Sequence, residues 1–357
     1  MQGGLFIALY DEDTLKLYLN KGIYGFLMKP VFSDAPSSRS KHYQALADYA
    51  CSRQGTDVFF FLNRKIIYGG KIIGNADTGS FYLNGDTSPI GRMGAATLFW
   101  DETPRYSATG RSGVFKIEEN EKAQPFILKF EQTDNTGKSI ISDDLYFELG
   151  KYPYPLPSNS MQGMGFCTLT PGEVSILNDL IQNSHERIDY SNCNSISING
   201  QGTLFNDSLV NITDSFVNEA QLEFTVLSKL QTLQWFRQLW PREYIMCRQV
   251  PISPFKPMDM DRADICLYDK NCLIKDGTIP NIIIELKLGR SNFYAYRQAT
   301  RYLRWLERIT TNEEFSKVQA FVIANSFAKI RRNMVDTRYE DKIRILSLDT
   351  FNFEELV

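Results

Sequence analysis

The chain has 357 residues, 43% hydrophobic and 23% charged, the make-up of a soluble globular protein long enough for two domains. A net charge of −3 excludes a protein coated in nucleic acid, so any polyanion site is local. No apolar run spans a membrane, MQGGLFIALYDEDTL lacks a basic leader, and six cysteines without CxxC spacing, with only His42 and His185 beside them, predict reduced thiols in the cytoplasm rather than a zinc site.

The first 150 residues are β-rich. LFIALY (5–10) and GIYGFLM (22–28) read as strands, and residues 40–53 carry apolar side chains at helical spacing. DVFFFLNRKIIYGGKIIG (57–74) reads as a hairpin turning at Asn63-Arg64, with a bend or bulge at Gly69-Gly70. Further strands are expected at 80–85, 96–100, 125–132 and 145–150, giving a compact mixed barrel. GFCTLTPGEVSIL (165–177) reads as a strand followed by a helix over 171–184, with Pro171 in its first turn. The polar, turn-rich residues 185–213 predict a linker between a domain at 1–184 and one at 214–357.

The second half opens with a long helix over 214–240, capped by Asp214 or Ser215. Its stripe of Leu222, Val226, Leu230, Leu233 and Phe236 is edged by Glu219 and Glu223. Strands follow at 244–252, 263–269 and 281–288, then a helix at 293–309 and strands at 318–324 and 344–349. Asp264 lies in one β-like run and Glu285 and Lys287 flank Leu286 in the next. Glu285 and Lys287, two apart on a strand, project to one face. Two carboxylates on neighbouring strands repel unless a cation lies between them, and hard oxygen donors, with the Leu286 carbonyl added, select Mg²⁺ or Mn²⁺. Gln298 and Tyr302 lie four apart on one helix face. Residues 285–344 hold thirteen Lys and Arg against seven Asp and Glu. Arg290, Arg297, Arg301 and Arg304, with Lys329, Arg331 and Arg332, are candidate phosphate contacts.

The order α-β-β-β-α-β, the acid Asp264, the element Glu285-Leu286-Lys287 and the element Gln298-Ala-Thr-Arg-Tyr302 together resemble the restriction-endonuclease-like PD-(D/E)xK nucleases over residues 214–349. Position 263 is Ala where that motif has Pro. The resemblance implies an α/β/α domain with a mixed central sheet and Mg²⁺- or Mn²⁺-dependent hydrolysis of DNA to a 3′-hydroxyl and a 5′-phosphate. It also implies an acid on the opening helix, for which Glu223 is favoured over Glu219. Residues 5–175 resemble EVE/PUA-like barrels through DVFFFLNRKIIYGGKIIG and GFCTLTPGEVSIL. That resemblance implies a nucleobase reader, with Phe60, Tyr82 and Trp100 as candidate pocket walls.

The expected protein is therefore a metal-dependent endonuclease with a nucleic-acid or modified-base reader, in a setting such as restriction or anti-phage defence. A nucleic-acid-binding sensor whose nuclease fold needs a partner is the alternative, and the residues do not separate DNA from RNA. Double-strand cleavage implies a homodimer on substrate. With no GxxxxGK[ST] in the chain, a motor would be a separate subunit.

Overall fold

The computed structural model describes residues 2–9, 12–25, 44, 47–73, 81–83, 126–151, 166–190, 202–203, 218–230, 239–256, 259–291, 293–327 and 336–347. Strands β1 (Gly4–Ala8), β2 (Ile23–Gly25), β3 (Asp57–Leu62), β4 (Lys65–Ile72), β5 (Phe81–Leu83), β6 (Phe126–Glu131), β7 (Ser139–Ile141), β8 (Phe166–Leu169) and β9 (Gly202–Thr203) form one curled mixed sheet. Its order is β8-β1-β3-β4-β6-β5-β9, with β2 also on β6 and β7 on β4. Nothing in this pairing establishes a closed PUA/EVE-like barrel. Helices α1 (Glu12–Lys21), α2 (Ser142–Leu149) and α3 (Pro171–Asn183) accompany the sheet.

Local chemistry explains these elements. Asn63 and Arg64, at φ 50° and 63°, form the two-residue turn of the β3–β4 hairpin, whose left-handed residues match the twist of the strands. A register shift between Val58 and Phe59 faces the Gly69-Gly70 pair. Gly70, at φ 151°, lies so close to β6 that a Cβ there would stand 2.1 Å from the Glu131 carbonyl oxygen. Thr170 caps α3 through a capping box with Glu173, and Pro171 takes the first helical position. The stretch 145–150, expected as a strand, is helical. Asp143 and Asp144 occupy the first turn of α2, where the helix dipole favours anions, and Leu145 and Leu149 are buried one turn apart. Residues 96–100 lie outside the described residues.

In the second half, α4 (Glu219–Lys229) packs on a five-stranded sheet of β10 (Tyr244–Lys256), β11 (Asp259–Asp269), β12 (Ile282–Ser291), β13 (Gln319–Phe327) and β14 (Ile343–Ser347), in that spatial order. The first three strands are antiparallel neighbours, and the last three run parallel. Helix α5 (Phe293–Ile309) and the short α6 (Asn312–Ser316) make the crossover from β12 to β13. The cap of α4 is Asn218, whose side chain accepts from the Gln221 amide, three residues beyond the expected Ser215. Asp214, Ser215, Leu233 and Phe236 lie outside the described residues.

Two cores flank this sheet. Tyr302, Leu303 and Leu306 of α5 pack with Ile283 and Val322. On the other side, Leu222, Phe224 and Leu227 of α4 share one core with Ile265, Ile284 and Phe321. That core continues through Leu5, Ile7, Tyr18 and Phe60, so the two halves of the chain bury apolar surface against each other.

Candidate active site

The site forms where β11 and β12 part. Their ladder runs to the pair Ile265–Ile284, and one step further sets Asp264 opposite Glu285. There the Asp264 side chain replaces the ladder: its Oδ2 accepts from the Leu286 backbone N–H at 2.7 Å. Glu285 Oε1 pairs with the Lys287 Nζ at 2.8 Å. Its Oε2 lies 3.1 Å from the Tyr302 hydroxyl, which is also 2.6 Å from the Arg262 carbonyl oxygen. Gln298 Nε2 donates to that hydroxyl at 2.7 Å, so both expected helix residues support Glu285. Glu285 is 1% exposed and the Lys287 side chain 31%, so the lysine reaches solvent while its carboxylate partner does not; Asp264 is half-buried.

Glu223 of α4 is buried and bound at both oxygens. Arg248 donates to Oε1 through Nε at 3.0 Å and to Oε2 through Nη2 at 2.7 Å. The remaining arm of Arg248 reaches Asp48 Oδ2 at 3.2 Å. Gln249 Nε2 then donates to Glu223 Oε1 at 3.3 Å and to Asp264 Oδ1 at 3.1 Å. Gln249 has φ 52°, a left-handed conformation in mid-strand that costs a non-glycine residue about 1–3 kcal/mol. The register from Arg248–Ile265 to Val250–Ala263 places Gln249 opposite Asp264. The alternation of faces slips at this level on both strands. Cys247 and Val250 both enter the core under α5, and Ala263 joins it while Ile265 belongs to the core under α4. Glu219, one turn before Glu223, is exposed. Its charge nevertheless bears on Glu285 and Lys287.

Electrostatics follow from this crowding. Burial pushes the Asp264 carboxyl well above the usual range, and the charges of Glu285 and Glu223 add to the rise. Burial also raises Glu285, against the pull of Lys287. Lys287 loses hydration, but Glu285 and Asp264 more than compensate and hold it protonated. Among the described residues no three Asp, Glu, His or Cys side chains converge on one point, and Glu223 is paired with Arg248. The two acids that stand opposite each other at the β11–β12 junction are Asp264 and Glu285. A divalent cation fits them chemically: a buried and a half-buried carboxylate that repel each other gain a counter-charge.

The outer candidates are more scattered. Arg301 pairs with Asp261 at 2.7 Å and Arg304 with Asp336 at 3.0 Å, while Arg297 is exposed on α5. Arg290 lies in β12, and Lys329, Arg331 and Arg332 fall outside the described residues. Phe60 is fully buried, stacked 6.0 Å from the Tyr18 ring and tilted against that of Phe130 at 5.9 Å, so it fills core space. Tyr82 lies in β5, and Trp100 falls outside the described residues. The residues not anticipated from sequence are Arg248, Gln249 and Asp48. Their one visible signal is an Arg-Gln pair inside the apolar run YIMCRQVPI.

No protein-family model matches the sequence, and no curated protein matches it. Two solved structures are similar in part. One is a repair endonuclease from Pyrococcus abyssi, at 18% identity and TM-score 0.22, over 39% of this chain and 49% of that one. The other is an EndoMS–dsDNA2 complex, at 17% identity and TM-score 0.22, over 41% of this chain and 49% of that one. The chain thus spans about half the length of each. Likeness that loose decides nothing about activity, which has to be read from this chain's own residues.

Proposed function

We propose that the chain is a divalent-metal-dependent phosphodiesterase acting on DNA, with its reacting centre at Asp264, Glu285 and Lys287. The observation that carries this reading is the junction of β11 and β12. A buried carboxylate, Glu285, and a half-buried one, Asp264, from adjacent strands share it with the protonated, part-exposed ammonium of Lys287. Asp264 and Glu285 would hold Mg²⁺ or Mn²⁺, with the Leu286 carbonyl as a third donor. When bound, such an ion polarises a phosphate oxygen and acidifies a water.

The chain's own groups supply the rest. Lys287 offsets negative charge as it builds on the phosphate and orients the attacking water. Tyr302 and Gln298 fix the second oxygen of Glu285, so the carboxylate does not rotate with its ion-pair partner. The Leu286 N–H fixes one oxygen of Asp264. Arg297 and Arg301 on α5 would contact the nucleic-acid backbone, Arg301 by exchanging Asp261 for a phosphate.

The test is incubation of the purified chain with plasmid DNA and Mg²⁺ or Mn²⁺. Cleavage that stops on chelation and falls about 100- to 1000-fold in Lys287→Ala is expected. Wild type and Lys287→Ala cutting at the same rate would place the chemistry elsewhere.

A further inference from the structure

We propose that Gln249 is a positioning residue of this site. Its two amide protons tie Glu223 and Asp264 into one frame, and Arg248 anchors that frame to the N-terminal half through Asp48. The proposal rests on the reading of Asp264 and Glu285 as metal-holding acids.

Three independent features point the same way. First, an amide NH₂ carries two protons, and Gln249 spends one on each acid, at 3.3 Å and 3.1 Å. Second, Gln249 is left-handed in mid-strand, and the alternation of faces slips at its level on β10 and β11 alike. A strained backbone that aims one side chain at two acids persists only where the surroundings enforce it. Third, the neighbouring residue completes the frame. Arg248 is buried, grips both oxygens of Glu223 and reaches across 200 sequence positions to Asp48. Thr168 on β8 receives the Arg248 backbone N–H at 3.0 Å, so β8 of the N-terminal half holds the same point of β10. Partners behind a metal ligand set its orientation, and their loss costs about 10- to 100-fold in metal affinity or activity.

Mn²⁺ binding read by electron paramagnetic resonance tests this without relying on cleavage. Full-length wild type, Asp264→Asn, Gln249→Met, Gln249→Asn and Asp48→Ala are compared, each with its thermal midpoint. Wild type should bind Mn²⁺ and Asp264→Asn should not. Gln249→Met, which keeps the length and loses both donors, should bind about 10- to 100-fold more weakly. Gln249→Asn, too short to span both acids, should follow it, and Asp48→Ala should shift in the same direction by a smaller factor. Cleavage by Gln249→Met should recover as Mn²⁺ is raised to saturation, a recovery that general loss of fold does not give. If Gln249→Met and Gln249→Asn bind as wild type does while Asp264→Asn fails, the positioning role is overturned and the metal reading stands. Should Gln249→Met not fold, wild-type affinity in Gln249→Asn alone overturns it. Wild-type affinity in Asp48→Ala removes the anchor. No Mn²⁺ binding by the wild type overturns the metal reading itself, and this proposal with it.

Discussion

Asp48 shows how strongly burial acts on single residues in this protein. Its carboxyl is pushed up to about 7 by burial, against the attraction of Arg248 and with the repulsion of Glu223. The folded state therefore holds this proton more tightly than the unfolded chain, where an aspartate titrates near 4. The contribution to stability is full below about pH 4 and is lost as pH rises to about 7. Asp48→Asn should flatten the fall in Tm of the metal-free protein across that window, and a parallel fall in both proteins would assign it to another group. Arg248→Met should lower stability by about 3–5 kcal/mol at neutral pH, since it strands two buried carboxylates. Denaturant titration measures it, and a loss under 1 kcal/mol would mean water reaches the pair. That Glu285 shares a face with Lys287, and Gln298 with Tyr302, was legible in the sequence, because strand and helix periods fix those pairs; that Asp264 stands opposite Glu285 comes from the β11–β12 register. Gln249 and Arg248 were not. Their meaning comes from register across β10–β11 and from a partner 200 residues away, and neither is written in local spacing.

Among elements, the second half was the more legible. Long apolar runs punctuated by Gly and Pro mark its strands, and the helix expected at 293–309 matches α5 residue for residue. The miss at α2 has a physical cause: LYFELG is too short for its period to distinguish a strand from a helix, and the two acids before it decide. Helix α3 joins the halves. A Cβ on Gly172 would stand 2.4 Å from the Thr278 Cγ2 and 3.1 Å from the Thr278 backbone, just beyond the short turn Lys275–Gly277. Gly172→Ala should therefore cost about 1–3 kcal/mol by forcing that contact apart. Thr170→Ala should cost about 1 kcal/mol by removing the cap. Chemical denaturation of both variants checks the ranking, and an unchanged Gly172→Ala would show that the turn yields freely.

For the whole molecule, composition and charge bounded the size and the class but not the relation of the halves. Leu5, Ile7 and Phe60 share a core with Leu222, Phe224 and Phe321, and Cys247 Sγ lies 3.4 Å from the Leu169 carbonyl oxygen. A joint core predicts one cooperative calorimetric transition for the full chain, whereas two separate transitions would mean that the halves fold independently. Among the described residues no helix is long and apolar enough to cross a membrane. The central claim is that Asp264, Glu285 and Lys287 make one metal-dependent hydrolytic centre. Its most direct measurement is the rate of plasmid cleavage against Mg²⁺ concentration for wild type, Asp264→Asn and Lys287→Ala. A saturable Mg²⁺ dependence in the wild type, abolished by the first substitution and reduced about 100- to 1000-fold by the second, is the predicted result. Cleavage indifferent to Mg²⁺, or retained in Asp264→Asn, would contradict it.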